Sequence, residues 1–337
     1  MSEGSRRAVA GPTRGFTLIE LMIAMLLGLV VIGGALGVML ANRQSYRTSE
    51  GLSQIQESAR TAFELLAHDV RQAGVTGCNN NGRVANVVVS TGATPWWQSW
   101  FGIRGFDGSQ ADGAAGFGTA VPNNRVNGTD SMQLQGIEGT GLSVVDQASG
   151  SFTINLPTTA IARNDILMVC DFDHAAIFKV TGYSSAAVTV ANIQEPSTAS
   201  PRNCSTGLGY PTDCTAGNPY TFSRNSQLAR LSAVAWYIGD NNRPLDGGRS
   251  LYRFRMDAAA AEEIVTGVTD MQVRYREAGR SDFRDATAVG TWANVNAVMI
   301  TLTLRSADQR ITTDNNVNAG RLERQFTNIV TLRNRVP

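Results

Sequence analysis

The sequence predicts an α+β chain. One long N-terminal helix has a transmembrane half followed by an amphipathic half, and the second half packs on an antiparallel β-sheet head. Three observations predict this. Leu21 to Ala41 runs twenty-one residues without a charge. Leu52, Ile55, Ala59, Ala62, Leu66 and Val70 then recur at intervals of three or four, with Arg, Glu and Gln between them. Beyond Gly74 the pattern changes to short runs rich in β-branched residues, separated by Gly, Asn, Asp or Ser.

The chain of 337 residues and 36.0 kDa is long enough for a sizeable core, and 42% hydrophobic against 17% charged residues excludes a disordered polymer. Lys+Arg 29 against Asp+Glu 28 leaves a net charge of +1. That balance offers no electrostatic attraction for nucleic acid, which is not an expected partner.

The elements follow in order. Residues 1–15 form a short polar leader carrying Arg6, Arg7 and Arg14 against Glu3. Residues 16–41 are the transmembrane half of the helix: at about 1.5 Å per residue the uncharged run covers roughly 32 Å, close to the roughly 30 Å of a bilayer's hydrocarbon. It is longer than the apolar region of a secretory signal and has no small-residue cleavage site at its exit. Arg43 and Arg47 flank the far end, so counting positive charges leaves orientation a near tie. Ala24 and Gly28, then Gly33, Gly37 and Ala41, are spaced four apart and give small faces on which another helix could approach closely. Residues 42–74 are the amphipathic half. The whole helix is expected from about Thr17 to Ala73, with Gly74 as its stop, roughly 85 Å in length.

Residues 75–337 form the head. Strands are expected at Val84 to Ser90, Ser131 to Ile137, Ser151 to Leu156, Asp165 to Cys170, Ala175 to Tyr183 and Ala187 to Ile193. They continue at Gln227 to Ile238, Ser250 to Met256, Met271 to Arg276, Asn296 to Arg305 and Gln325 to Leu332, in the manner of an antiparallel meander. A short helix is expected around Ala258 to Ile264. Two patternless stretches, Thr91 to Asn127 and Pro196 to Thr221, read as surface excursions.

Directly before the apolar run stands Arg14-Gly15-Phe16-Thr17-Leu18-Ile19-Glu20. This string resembles the type IV prepilin motif. The resemblance implies cleavage by a prepilin peptidase after Gly15, N-methylation of Phe16, and a pilin-like fold. Glu20 becomes the fifth residue of the mature chain, where the family keeps its carboxylate. An ionised carboxylate within a bilayer costs a few kcal/mol even on lenient scales, so it needs a partner, and a neighbouring subunit's free amine at Phe16 would supply one. A plainer reading of the same residues is a capping box, in which Thr17 and Glu20 close the first turn of an ordinary anchor helix.

Further blocks narrow the resemblance. Asp69 to Gly74 followed by Cys78, Asn127 to Ser131, and Asp165 to Cys170 leading into Ile177 to Thr181 are similar to segments of PilW-type minor pilins. Val265 to Val268, Met271 to Tyr275 and Phe326 to Asn334 are similar to the ends of that family and of the related J-type minor pseudopilins of type II secretion. The resemblance implies a non-enzymatic role in priming type IV pilus assembly and building its tip complex. A minor pseudopilin of a type II secretion system, or an adhesin module at the pilus tip, is the alternative. Implied partners are other minor pilins, the major pilin, a tip adhesin, the prepilin peptidase and the inner-membrane assembly platform. The precursor would sit in the bacterial inner membrane with its head in the periplasm, and later at the pilus tip on the cell surface.

Few residues in the head suggest chemistry. His68 and His174 are the only histidines, and neither stands in a zinc-binding spacing, so no metal is expected. There is no G-x-S-x-G elbow and no phosphate-cradling loop, and neither an enzyme nor a cofactor is expected. Asp240-Asn241-Asn242 with Asp246, and Asp314-Asn315-Asn316, are oxygen-rich but do not fit a calcium-binding loop and read as turns. Cys78, Cys170, Cys204 and Cys214 are disulfide candidates for a head outside the cytoplasm. Cys204 and Cys214, ten positions apart, are the best pair, which would leave Cys78 for Cys170, although four cysteines permit three pairings. Trp96, Trp97 and Trp100, with Phe101 and Phe106, form an aromatic cluster. It either anchors a neighbouring subunit or covers the head's own sheet.

Overall fold

The computed structural model describes residues 15–78, 83–122, 124–312 and 318–335. The leader up to Arg14 and the Asp314 to Asn316 turn lie outside the described residues. The chain divides into two compact units, Met1–Glu50 and Gly51–Pro337.

In the first unit the described chain enters helix α1 (Leu18–Gln72), whose turns up to Glu50 belong here. Among the described residues α1 is the one helix long and apolar enough to cross a membrane, by length and composition. Its large side chains meet no core of their own: Leu18, Leu29 and Val31 are 78%, 72% and 69% exposed. Such a surface is stable only where something other than water covers it.

The second unit contains the last turns of α1 and a β-rich body. The strands are β1 (Val84–Asn86), β2 (Val88–Val89), β3 (Ile103–Phe106), β4 (Ser131–Ala148), β5 (Ser151–Ile154), β6 (Ile166–Cys170), β7 (Ala175–Lys179) and β8 (Gly182–Ser184). They continue as β9 (Thr189–Ala191), β10 (Arg202–Asn203), β11 (Gln227–Asp240), β12 (Arg249–Arg255), β13 (Glu262–Thr266), β14 (Val268–Glu277), β15 (Val295–Arg305) and β16 (Glu323–Thr331).

The head is not a simple meander. Its main sheet runs β1-β7-β6-β11-β4-β5-β9-β8, with β12 on β11, β13 on β12 and β3 on β4. Most pairs are antiparallel, but β1 lies parallel to β7. The centre is the long antiparallel pair β4 and β11, and each end of it takes different neighbours. Met132 and Leu134 of β4 face the end that carries β3 and β12, whereas Leu142, Val144 and Leu228 face the end that carries β5 and β6. The ladder shifts register between Leu228 and Ala229, opposite Leu142 and Gly139. Gly141, at φ +69°, absorbs the extra residues there, a conformation that favours glycine. The glycines between Gly136 and Gly141 read as a strand end, yet β4 continues through them. β14, β15 and β16 form a separate antiparallel sheet, and β2 with β10 a small third one.

Two main cores result. In the first, Ile55, Ala59, Ala62, Leu66 and Val70 of α1 pack with Met132, Trp236, Leu251, Val273, Ile300 and Leu302. The three-and-four stripe read in the sequence is therefore the face that packs. α1 stops where Gly74 takes φ +76° and its N–H donates to the Gln135 carbonyl of β4 at 2.7 Å. The second core gathers Leu142, Val144, Phe152, Leu167, Val169, Phe178, Val190, Leu208 and Phe222.

Two expectations are corrected. The segment after Ala258 is not helical: Glu262–Thr266 is β13, paired with β12, because sheet edge and register outweigh local helix propensity. The stretch from Thr91 to Asn127 is not wholly irregular, since β3 adds to β4 from within it, and β10 likewise lies inside Pro196 to Thr221.

Candidate functional site

The N-terminal motif begins in non-helical backbone. Gly15, Phe16 and Thr17 precede α1, and Glu20 stands in its first turn. The Glu20 N–H donates to Thr17 Oγ1 at 3.3 Å, and the Thr17 hydroxyl donates to Glu20 Oε2 at 3.5 Å. Thr17 thus caps the helix from its side chain, the first half of a capping box, and satisfies one of the donors that every helix start leaves open. Phe16 is 85% exposed, and Glu20 is exposed as well.

A Cβ built on Gly15 meets nothing within 4 Å, and the same holds for Gly28, Gly33, Gly34 and Gly37. Packing among the described residues therefore does not require glycine at any of the five. Inside a helix each glycine costs about 1 kcal/mol relative to alanine, so the four in α1 weaken the helix itself.

In the head the four cysteines form two disulfides. Cys78 joins Cys170 with Cα atoms 5.9 Å apart, linking the exit of α1 to β6 across 92 positions. Cys204 joins Cys214 with Cα atoms 5.1 Å apart and closes a loop within the second excursion. Trp96, Trp97 and Trp100 are half-buried. Trp97 and Trp100 lie on the cluster of Val88, Ile166, Met168 and Ile177, and Trp96 is 6.0 Å from the Phe254 ring. The cluster covers sheet.

His68 is exposed on α1, 3.3 Å from Asp69 Oδ1 and 3.0 Å from the Gln72 amide. His174 occupies a turn, as its surroundings in the sequence suggest, but it is buried rather than a surface group. Among the described residues no three His, Cys, Asp or Glu side chains are placed to hold a metal ion. Around Asp240, Asn241 and Asp246 already have protein partners. The Asn241 amide donates to Ser250 Oγ at 2.9 Å, Asn241 Oδ1 accepts from the Arg243 N–H at 2.8 Å, and Arg243 pairs with Asp246 at 2.7 Å.

Two buried polar centres have roles that sequence reasoning did not assign. Asp69, 7% exposed, accepts from Trp236 Nε1 at 2.9 Å and from Arg253 at 2.8 and 3.0 Å, fastening α1 to β11 and β12. Arg125 is fully buried and donates to Ser131 Oγ and to the Gln110 carbonyl, with its guanidinium 4.3 Å from the centre of the Phe117 ring. Burial lowers its pKa, opposed by Asp112, Asp130 and Asp107. Burial also pushes the Asp130 carboxyl up to about 6, although it accepts the Val273 N–H at 2.8 Å. Asp112 takes hydrogen bonds from Ser131 and Gln133, each at 2.5 Å. These groups are directed at one another and hold the first excursion to β4 and β14. The signal available in the sequence was an Arg between Asn124 and Val126, which does not distinguish a buried arginine from a solvated one.

Residues 12–36 match the family model described as the prokaryotic N-terminal methylation motif. No curated protein and no solved structure matches the chain. The match, the membrane-capable helix and the β-rich head support a type IV pilin-like or pseudopilin-like protein, anchored in a membrane as a precursor and processed by prepilin peptidase.

Proposed function

We propose that this chain is a non-enzymatic minor pilin of the PilW type, which primes type IV pilus assembly and joins the tip complex. The observation that carries this reading is Gly15-Phe16-Thr17-Leu18-Ile19-Glu20 standing directly before a helix able to span a bilayer. Cleavage after Gly15 frees the amine of Phe16, which is then methylated. Gly15 has open space around it, so the demand for glycine there comes from the peptidase's active site rather than from the fold. Residues 16–41 hold the precursor in the inner membrane, residues 42–74 carry the amphipathic half of the helix, and residues 75–337 lie in the periplasm. Two disulfides support that oxidising compartment. On assembly the helix leaves the lipid for a bundle of pilin helices, where the Glu20 carboxylate pairs with the Phe16 amine of an adjacent subunit. That pairing removes the cost of an uncompensated charge among apolar side chains. Other minor pilins, the major pilin, a tip adhesin and the assembly platform are the partners of this step.

N-terminal sequencing and mass spectrometry of the protein recovered from sheared filaments test the reading. The mature chain should begin at methylated Phe16, and Gly15→Leu should leave the intact precursor in the membrane. Normal processing of Gly15→Leu, or a filament-bound chain that still begins at Met1, overturns it. Processing with no incorporation into surface pili points instead to the pseudopilin of a secretion system.

A further inference from the structure

The second excursion is fastened to the head by a buried histidine whose two ring nitrogens both face acceptors. His174, in the turn between β6 and β7, has a side chain only 1% exposed. Its Nδ1 lies 2.8 Å from Asp173 Oδ2, and its Nε2 lies 3.1 Å from the main-chain carbonyl oxygen of Leu208. Leu208 is fully buried and stands within the loop closed by Cys204–Cys214. A neutral imidazole has one N–H and one lone pair, so either tautomer would aim a lone pair at one of these oxygens. The imidazolium alone donates to both.

Charged and aromatic groups gather at this turn. Asp173 also takes a two-pronged hydrogen bond from Arg83, at 2.9 and 3.3 Å, from the segment preceding β1. Asp171 lies on the same turn, and its Oδ1 accepts the His174 main-chain N–H at 3.2 Å. On the excursion side the Tyr220 hydroxyl donates to Asp171 Oδ2 at 2.7 Å, and the Tyr220 ring meets the imidazole edge-on with centroids 4.0 Å apart. Phe222 closes the remaining side at 5.3 Å. Asp173 is thus the carboxylate on the ring, with Arg83 behind it, while Asp171 ties the turn's main chain to Tyr220. The hydrogen bond from His174, with Arg83 behind it, holds the Asp173 carboxyl below the usual range, and burial keeps the Tyr220 hydroxyl protonated.

We propose that His174 is a proton-operated latch that docks the disulfide-closed loop of residues 204–214 onto the β6–β7 turn when doubly protonated and loosens it when one ring proton is lost. The sign follows from which form is bonded. The docked loop requires both ring nitrogens to donate, so docking is complete where both carry protons and weakens where one is removed. Asp173, depressed by its partners, sustains its half of the latch at any pH above the usual carboxylate range and loses it as pH falls through its own titration. The covalent link from Cys204 to Cys214 keeps the loop closed throughout, so what changes is its attachment.

Hydrogen exchange of the full chain in detergent micelles, corrected for the intrinsic pH dependence of exchange, reads the attachment directly. Peptides covering residues 205–218 should be about fivefold more protected near pH 5.5 than near pH 8, with β4 and β11 unchanged. His174→Gln should remove the pH dependence and His68→Gln should not. Ring nitrogen NMR on the unmutated chain should show both His174 nitrogens protonated near pH 5.5. Protection of 205–218 that is equal at both pH values overturns the proposal. So does a pH response that survives in His174→Gln, or a neutral tautomer at the acid end, and the unmutated chain suffices should the variant not fold.

Discussion

Asp69 carries more of the helix-to-sheet junction than any other polar side chain described here, because it is a nearly buried carboxylate with three charged or aromatic N–H donors aimed at it. Removing one partner of such a pair leaves the other buried without compensation. Asp69→Ala should therefore destabilise the head by roughly 3–5 kcal/mol, and Asp69→Asn by less, since its amide oxygen can still accept from Trp236. Denaturant unfolding of the full chain in detergent measures both, and an Ala variant as stable as the parent would refute the role. The block from Asp69 to Gly74 is visible in the sequence, but its purpose is not, because Trp236 and Arg253 stand 167 and 184 positions away. The N-terminal motif is legible for the opposite reason: Gly15, Phe16 and Glu20 are contiguous, and the chemistry asked of them is local.

At the scale of elements, α1 was legible because its stripe repeats within a single helix, while β4 was legible only from Ser131 to Ile137 of its 18 residues. Its middle is glycine-rich, and glycine usually ends a strand. Gly136 shows why it does not end this one. A Cβ there would stand 2.6 Å from the Gln72 carbonyl oxygen, so the glycine lets β4 pass beneath the last turn of α1. Gly136→Ala should push the two elements apart and cost about 1–3 kcal/mol, with faster hydrogen exchange in the last turns of α1 and around Gln135. Gly139→Ala, where a Cβ meets nothing within 4 Å, is the control expected to leave both unchanged. Equal effects of the two substitutions would refute the close approach. The β13 segment was misread because its strand state is set by β12, which no local pattern reveals.

Across the whole molecule, the two disulfides differ in what they restrain. The link from Cys78 to Cys170 closes 92 positions and is worth about 4.5 kcal/mol by restriction of the unfolded chain, whereas the ten-position link from Cys204 to Cys214 is worth about 2.5 kcal/mol. Replacing both cysteines of the longer link by alanine should thus lower the denaturation midpoint more than the same change at the shorter one. The reverse order would show that unfolded-state restriction is not what the longer bond supplies. The longer bond also sets a path for force. Once the packing of α1 on the sheets has yielded, tension along the covalent chain reaches Cys78 and crosses directly into β6, so the polypeptide between those two cysteines is not drawn out while the bond holds.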